Sequence, residues 1–133
     1  MPVAIACTAV LGALLFLLGL NVSRMRGATA RAGGSQLPTD PADRLFIAIR
    51  AHGNAAEYIP TLIVLFLLLG ARSPGPLAAV LTVGATAARL LHAWGMLTAP
   101  SLAARSGFRV SGAVGTYAFG VALAVAALAS IWR

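Results

Sequence analysis

The chain contains no lysine, one cysteine and three acidic residues among its 133 positions. A single cysteine, Cys7, excludes an intrachain disulfide, and in an apolar stretch it packs as a small hydrophobe. Charged residues make up 10% of the chain and hydrophobic ones 59%, with a mean hydropathy of +0.89. That scarcity of charge excludes a soluble globular domain and identifies a membrane protein. The net charge of +7 rests on ten arginines. They are spread along loops and helix ends rather than gathered on one soluble face, so nucleic acid is not an expected partner. No metal site is expected either.

Hydrophobic runs of spanning length are what the chain does have. Four can be drawn, at about 2–20, 44–69, 77–97 and 108–132, and together they predict an all-α, integral-membrane four-helix bundle forming a single domain over 1–133. No basic region precedes the first run, which predicts a retained helix rather than a cleaved signal. Gly33-Gly34-Ser35 and Pro38-Thr-Asp40-Pro41 mark a loop expected over 21–43, with Asp40 or Asp43 placed to cap the second helix. Arg24, Arg26, Arg31, Arg44, Arg105 and Arg109 fall on one side and only Arg72 and Arg133 on the other. The positive-inside rule therefore puts the first and third loops in the cytoplasm and both termini on the non-cytoplasmic side.

The second run is not uniformly apolar. Arg50, Asn54 and Glu57 recur at i, i+4, i+7 and share one stripe of a membrane helix, while His52 points the other way. An ionisable residue at membrane depth marks a functional site by default, although Arg50 and Glu57 two turns apart would also suit a structural ion pair. Pro60 follows the stripe and is expected to bend the helix. On the third helix Arg89, His92 and Met96 share a face, with Trp94 turned away as an interfacial anchor; His92 alone would also suit a histidine bonded to a backbone carbonyl. Small residues recur every four positions on the fourth helix, at Gly112, Thr116, Gly120 and Ala124, a ridge suited to close packing, and Gly12 and Gly19 offer the same on the first. Arg109 opens the fourth helix, where it either faces the polar pocket or snorkels to headgroups.

The motif Arg50-Ala-His-Gly-Asn54-Ala-Ala-Glu57-Tyr58-Ile-Pro60, with Ala88-Arg89-Leu-Leu-His92-Ala-Trp-Gly95 and Arg109-Val-Ser-Gly112, resembles the MAPEG family, the membrane-associated proteins of eicosanoid and glutathione metabolism, and in particular its small bacterial members. The resemblance implies a homotrimer in a bacterial inner membrane, binding glutathione as co-substrate between subunits. It implies glutathione contacts from Arg50, Asn54, Glu57 and Tyr58, with His52 reaching the molecule held by the adjacent subunit and His92 standing where relatives have a histidine or tyrosine; Arg89 beside it is a further cation that suits glutathione's carboxylates. It assigns thiol activation to Arg109, with Arg105 as the rival. Met96 stands where eicosanoid enzymes have a tyrosine, and no tyrosine lies one turn beyond Arg109, so eicosanoid chemistry is not implied.

Glutathione carries two carboxylates and an ammonium, so a buried site for it needs cations and an anion together, and a fixed positive charge favours its thiolate. The expected activity is a glutathione-dependent transferase or peroxidase acting on hydrophobic electrophiles, with membrane lipid as the other partner. The thiol could also be another low-molecular-weight one. Two other classes compete: a non-catalytic binding or scaffold protein of the same fold, and a small multidrug transporter using Glu57.

Overall fold

A computed structural model describes residues 1–132; Arg133 lies outside them. The four helices are α1 (Pro2–Arg31), α2 (Arg44–Arg72), α3 (Pro76–Leu97) and α4 (Gly107–Ala129), the last followed by a 3₁₀ turn, Ser130–Trp132. All four are long and apolar enough to cross a membrane, and the chain is an integral membrane protein.

The principal departure from expectation is α1, which continues to Arg31 instead of ending near Leu20. Hydropathy falls after Leu20, but Asn21 to Arg31 holds three arginines, two alanines and Met25, all good helix formers, and contains no proline, so nothing there stops a helix. The stop comes at Gly33, the one described residue with a left-handed backbone (φ 68°), beside which Gly34 N–H bonds Thr29 O at 2.9 Å. Thirty residues span about 45 Å, more than the hydrocarbon thickness, so Arg24, Arg26 and Arg31 stand exposed on a projecting stem. The first loop shrinks accordingly.

Local chemistry sets the remaining boundaries. Asp43 caps α2, its carboxylate accepting from Leu45 N–H at 2.7 Å and Phe46 N–H at 3.0 Å, while Asp40 only turns the loop through Ala42 N–H. Pro76 occupies the first turn of α3, where its fixed φ suits a helix start. Ser106 caps α4. Helix α2 runs through Pro60 uninterrupted, the ring on an exposed face.

The core follows the bundle axis through Leu11, Ala55, Ile59, Phe66, Ala85 and Leu123, none with measurable exposure. Helices α3 and α4 make the closest pair, and glycine is the reason. A Cβ added at Gly112 would stand 2.5 Å from His92 N, and one at Gly95 would stand 2.5 Å from Arg109 N. Two backbones touch at this crossing because neither glycine carries a side chain. The crossing lies at the end of the bundle that carries the first and third loops, and there the loops also meet: Leu102 N–H bonds Pro41 O at 2.9 Å.

Candidate functional site

Above that crossing lies a cavity of about 480 Å³, and α2, α3 and α4 each contribute polar side chains to it. Arg50 and Asn54 enter from α2, His92 and Met96 from α3, and Arg109 from α4, with Pro41 and Leu102 of the joined loops at its rim.

Arg109 is held on three sides. Its backbone N–H donates to the Ser106 cap at 3.3 Å, its Nη2 to Ala104 O at 3.0 Å, and its carbonyl receives His92 Nδ1 at 2.8 Å. Because that carbonyl can only accept, His92 carries its proton on Nδ1, which leaves Nε2 as an acceptor when the ring is neutral. Nη1 of Arg109 is buried and bonded to nothing. A guanidinium fixed by Nη2 with Nη1 unmatched is a donor waiting for an acceptor. Arg105, its rival, is exposed and does not line the cavity.

Behind the cavity wall Arg89 is 1% exposed, the largest of the fully buried side chains. Its Nη2 donates to Asn54 Oδ1 at 2.9 Å, its Cζ lies 5.3 Å from the Tyr58 ring centroid, and its Nε has no partner. Asn54 thus spends its oxygen on Arg89 and keeps an amide donor for the cavity. The polar faces of α2 and α3 meet at one depth.

The stripe on α2 divides. Arg50 and Asn54 border the cavity, but Glu57, one turn further along, is exposed and outside it. His52 turns to α1, its Nε2 3.3 Å from where a Gly19 Cβ would stand, so the glycine expected to admit a backbone admits this ring instead. Tyr58 leaves the cavity as well, pairing its hydroxyl with that of Tyr117 at 3.2 Å. Arg50, Asn54, His92 and Arg109 are therefore gathered in one chain, whereas His52, Glu57, Tyr58 and Arg89 do not line that space.

Tyr117 escaped sequence reasoning. It stands among the small residues of α4, two turns beyond Arg109 rather than one. Its signal was position: a tyrosine at the middle of a span, where aromatic belts do not reach.

The MAPEG family model matches residues 4–129, the whole bundle apart from its extremities. Comparison with curated proteins finds no match.

Proposed function

The chain belongs to the MAPEG family, which includes glutathione transferases and peroxidases, and from that membership we propose that it is a glutathione-dependent transferase or peroxidase of hydrophobic electrophiles. The observation that carries this is the unmatched, buried Nη1 of Arg109 at a cavity shared with Arg50, Asn54 and His92. Arg50, Asn54 and Arg109 offer cationic or hydrogen-bond-donating groups and no carboxylate lines that space, so an anionic guest is the chemical complement.

In this mechanism glutathione lies with its carboxylates toward Arg50 and Asn54 and its sulfur at Arg109. The guanidinium, always protonated, accepts no proton; it holds the thiolate by charge and a hydrogen bond, and the thiol proton leaves to solvent. The sulfur lone pair then forms a bond to an electrophilic carbon delivered from the bilayer, and the leaving group departs with its electron pair. In the peroxidase variant sulfur attacks the terminal oxygen of a hydroperoxide and the alkoxide leaves, with a second thiol resolving the oxidised sulfur.

Arg50 and Glu57 are both exposed on a single chain at membrane depth, which favours a second copy covering them, in accord with the trimer that the family implies. In this reading His52, which packs beside Gly19 of α1, serves a neighbour's ligand. A transporter would place Glu57 at the centre of the cavity, which it does not line.

Titrating the detergent-purified protein with glutathione, following heat and thiolate ultraviolet absorbance, tests the proposal. Wild type and Arg105→Ala should bind and show thiolate, and Arg109→Ala should lose the thiolate signal. Binding without thiolate in wild type would move the assignment to a non-catalytic binder, and no binding of glutathione or other small thiols would remove it.

A further inference from the structure

The chain has two tyrosines and two tryptophans. Trp94 and Trp132 sit toward helix ends and are exposed, as interfacial anchors do. The tyrosines do the opposite. Tyr58 is the central residue of α2, Tyr117 lies at the middle of α4, and the two bond each other, so a pair of hydroxyls stands near the bilayer midplane.

Tyr117 is 55% exposed, on a stripe of α4 shared with Val110, Val114, Val121 and Val125, a surface of hydrocarbon character. Its ring meets Tyr58 edge-on at 5.7 Å between centroids. Two phenols carry two O–H protons, and the hydrogen bond between them uses one. The Arg89 guanidinium over the Tyr58 ring draws density from it and makes Tyr58 the better donor of the pair. With Tyr58 as the donor, the remaining Tyr117 O–H is strengthened by the bond its own oxygen accepts. A hydroxyl donor left over at the depth of the hydrocarbon has no water to satisfy it.

We infer that the Tyr58–Tyr117 pair is a binding site for the oxygen of a lipid-soluble molecule, a carbonyl, epoxide or hydroperoxide on an otherwise apolar body lying along α4. The chemistry is matched on both sides: the valine stripe takes the apolar body and the free O–H takes an acceptor oxygen. Asn54, which borders the cavity, bonds Arg89, and Arg89 covers Tyr58, so the two sites share a wall. Calling this molecule the co-substrate rests on the proposed function above; the binding site itself does not. It makes the protein selective for oxygenated electrophiles over alkyl or benzyl halides of equal hydrophobicity.

The test separates the two claims. Without any thiol, binding of an unreactive long-chain methyl ketone and of the hydrocarbon of equal length is followed by tyrosine fluorescence in detergent. Wild type should prefer the ketone about ten-fold, the worth of one good hydrogen bond, and Tyr117→Phe, which keeps the ring, should lose that preference. Glutathione affinity and oligomeric state should not change in Tyr117→Phe. With thiol present, the variant should lose turnover of a long-chain enone about ten-fold more than that of a benzyl halide. Equal binding of ketone and hydrocarbon by wild type overturns the inference, as does a change of oligomeric state in Tyr117→Phe, which would make the pair a contact between copies. Ketone preference with no thiol-dependent turnover leaves the inference standing and removes the enzyme assignment instead.

Discussion

Gly112 and Gly120 lie on the same ridge of α4 and look alike in sequence, yet alanine should act oppositely at the two. Either substitution removes backbone entropy from the unfolded chain and improves helix propensity, a gain of about 0.5–1 kcal/mol common to both. At Gly120 the new methyl meets only Leu62 Cδ2 at 3.9 Å, ordinary contact, so the gain survives. At Gly112 it would meet His92 N at 2.5 Å and His92 Cα at 2.6 Å. Those are backbone atoms of a packed helix and cannot rotate away, so α4 must move off α3 by about 1 Å to restore normal carbon contacts. Overpacking of that kind costs about 1–3 kcal/mol, which reverses the sign. The displacement also stretches the 2.8 Å bond between His92 Nδ1 and Arg109 O and carries the Arg109 guanidinium with it. A reacting group misplaced by about 1 Å loses on the order of a hundred-fold in rate. Thermal inactivation in detergent, read beside thiolate absorbance, checks both parts. Gly120→Ala should match or exceed wild type in stability and keep the thiolate; Gly112→Ala should lose both, as should Gly95→Ala, whose methyl meets Arg109 N at 2.5 Å. If Gly112→Ala and Gly120→Ala prove equally stable, α3 and α4 do not cross as described.

Asn54→Leu should destabilise the bundle by about 1.5–3 kcal/mol, because it strips a hydrogen bond from the buried Arg89 cation. The double variant N54L/R89M should recover most of that loss, and additive effects in the double-mutant cycle would mean that the pair is not coupled. Asp43→Ala should cost about 1 kcal/mol through two lost cap bonds, Asp43→Asn much less, and Asp40→Ala little, all measurable as shifts in thermal midpoint.

The spans were legible because hydrocarbon thickness fixes how long an apolar run must be, and α2 and α3 began and ended within a few residues of where hydropathy placed them. The end of α1 was not, since hydropathy reports the membrane boundary while the helix ends where backbone geometry forbids more, at Gly33. Helical spacing correctly separated His52 from Arg50 and Asn54, because direction around a helix depends on sequence number alone. It could not separate Glu57 from Arg50. Both sit on one stripe, and which part of a stripe a neighbour covers depends on the tilt of α3 and α4, set by contacts at Gly95 and Gly112 that spacing within one helix does not encode. Tyr117 was hidden for the same reason: its meaning comes from Tyr58, on a helix 59 positions earlier in the chain.

Distribution of charge within the bundle argues for a guest more strongly than any single residue does. Arg89 is buried with an amide oxygen and an aromatic face as its partners, and Arg109 is held by a carbonyl oxygen, so neither cation is neutralised by a carboxylate in these bonds. Neutral partners satisfy N–H groups without cancelling charge, and each guanidinium still has one buried nitrogen bonded to nothing. A bundle selected for stability alone would replace such cations with apolar residues of similar volume, which is often neutral or stabilising. The positive charges of Arg50 and Arg109 at the cavity, with Arg89 buried behind its wall, make an anion the electrostatic complement of that space. Under the proposed function an anionic thiol would restore the balance, and its sulfur would gain from the same charges that hold its carboxylates, linking affinity to thiolate formation. Glu57 is exposed beyond the cavity, and under the proposed function it would answer the ammonium of the guest or an arginine of a neighbouring copy.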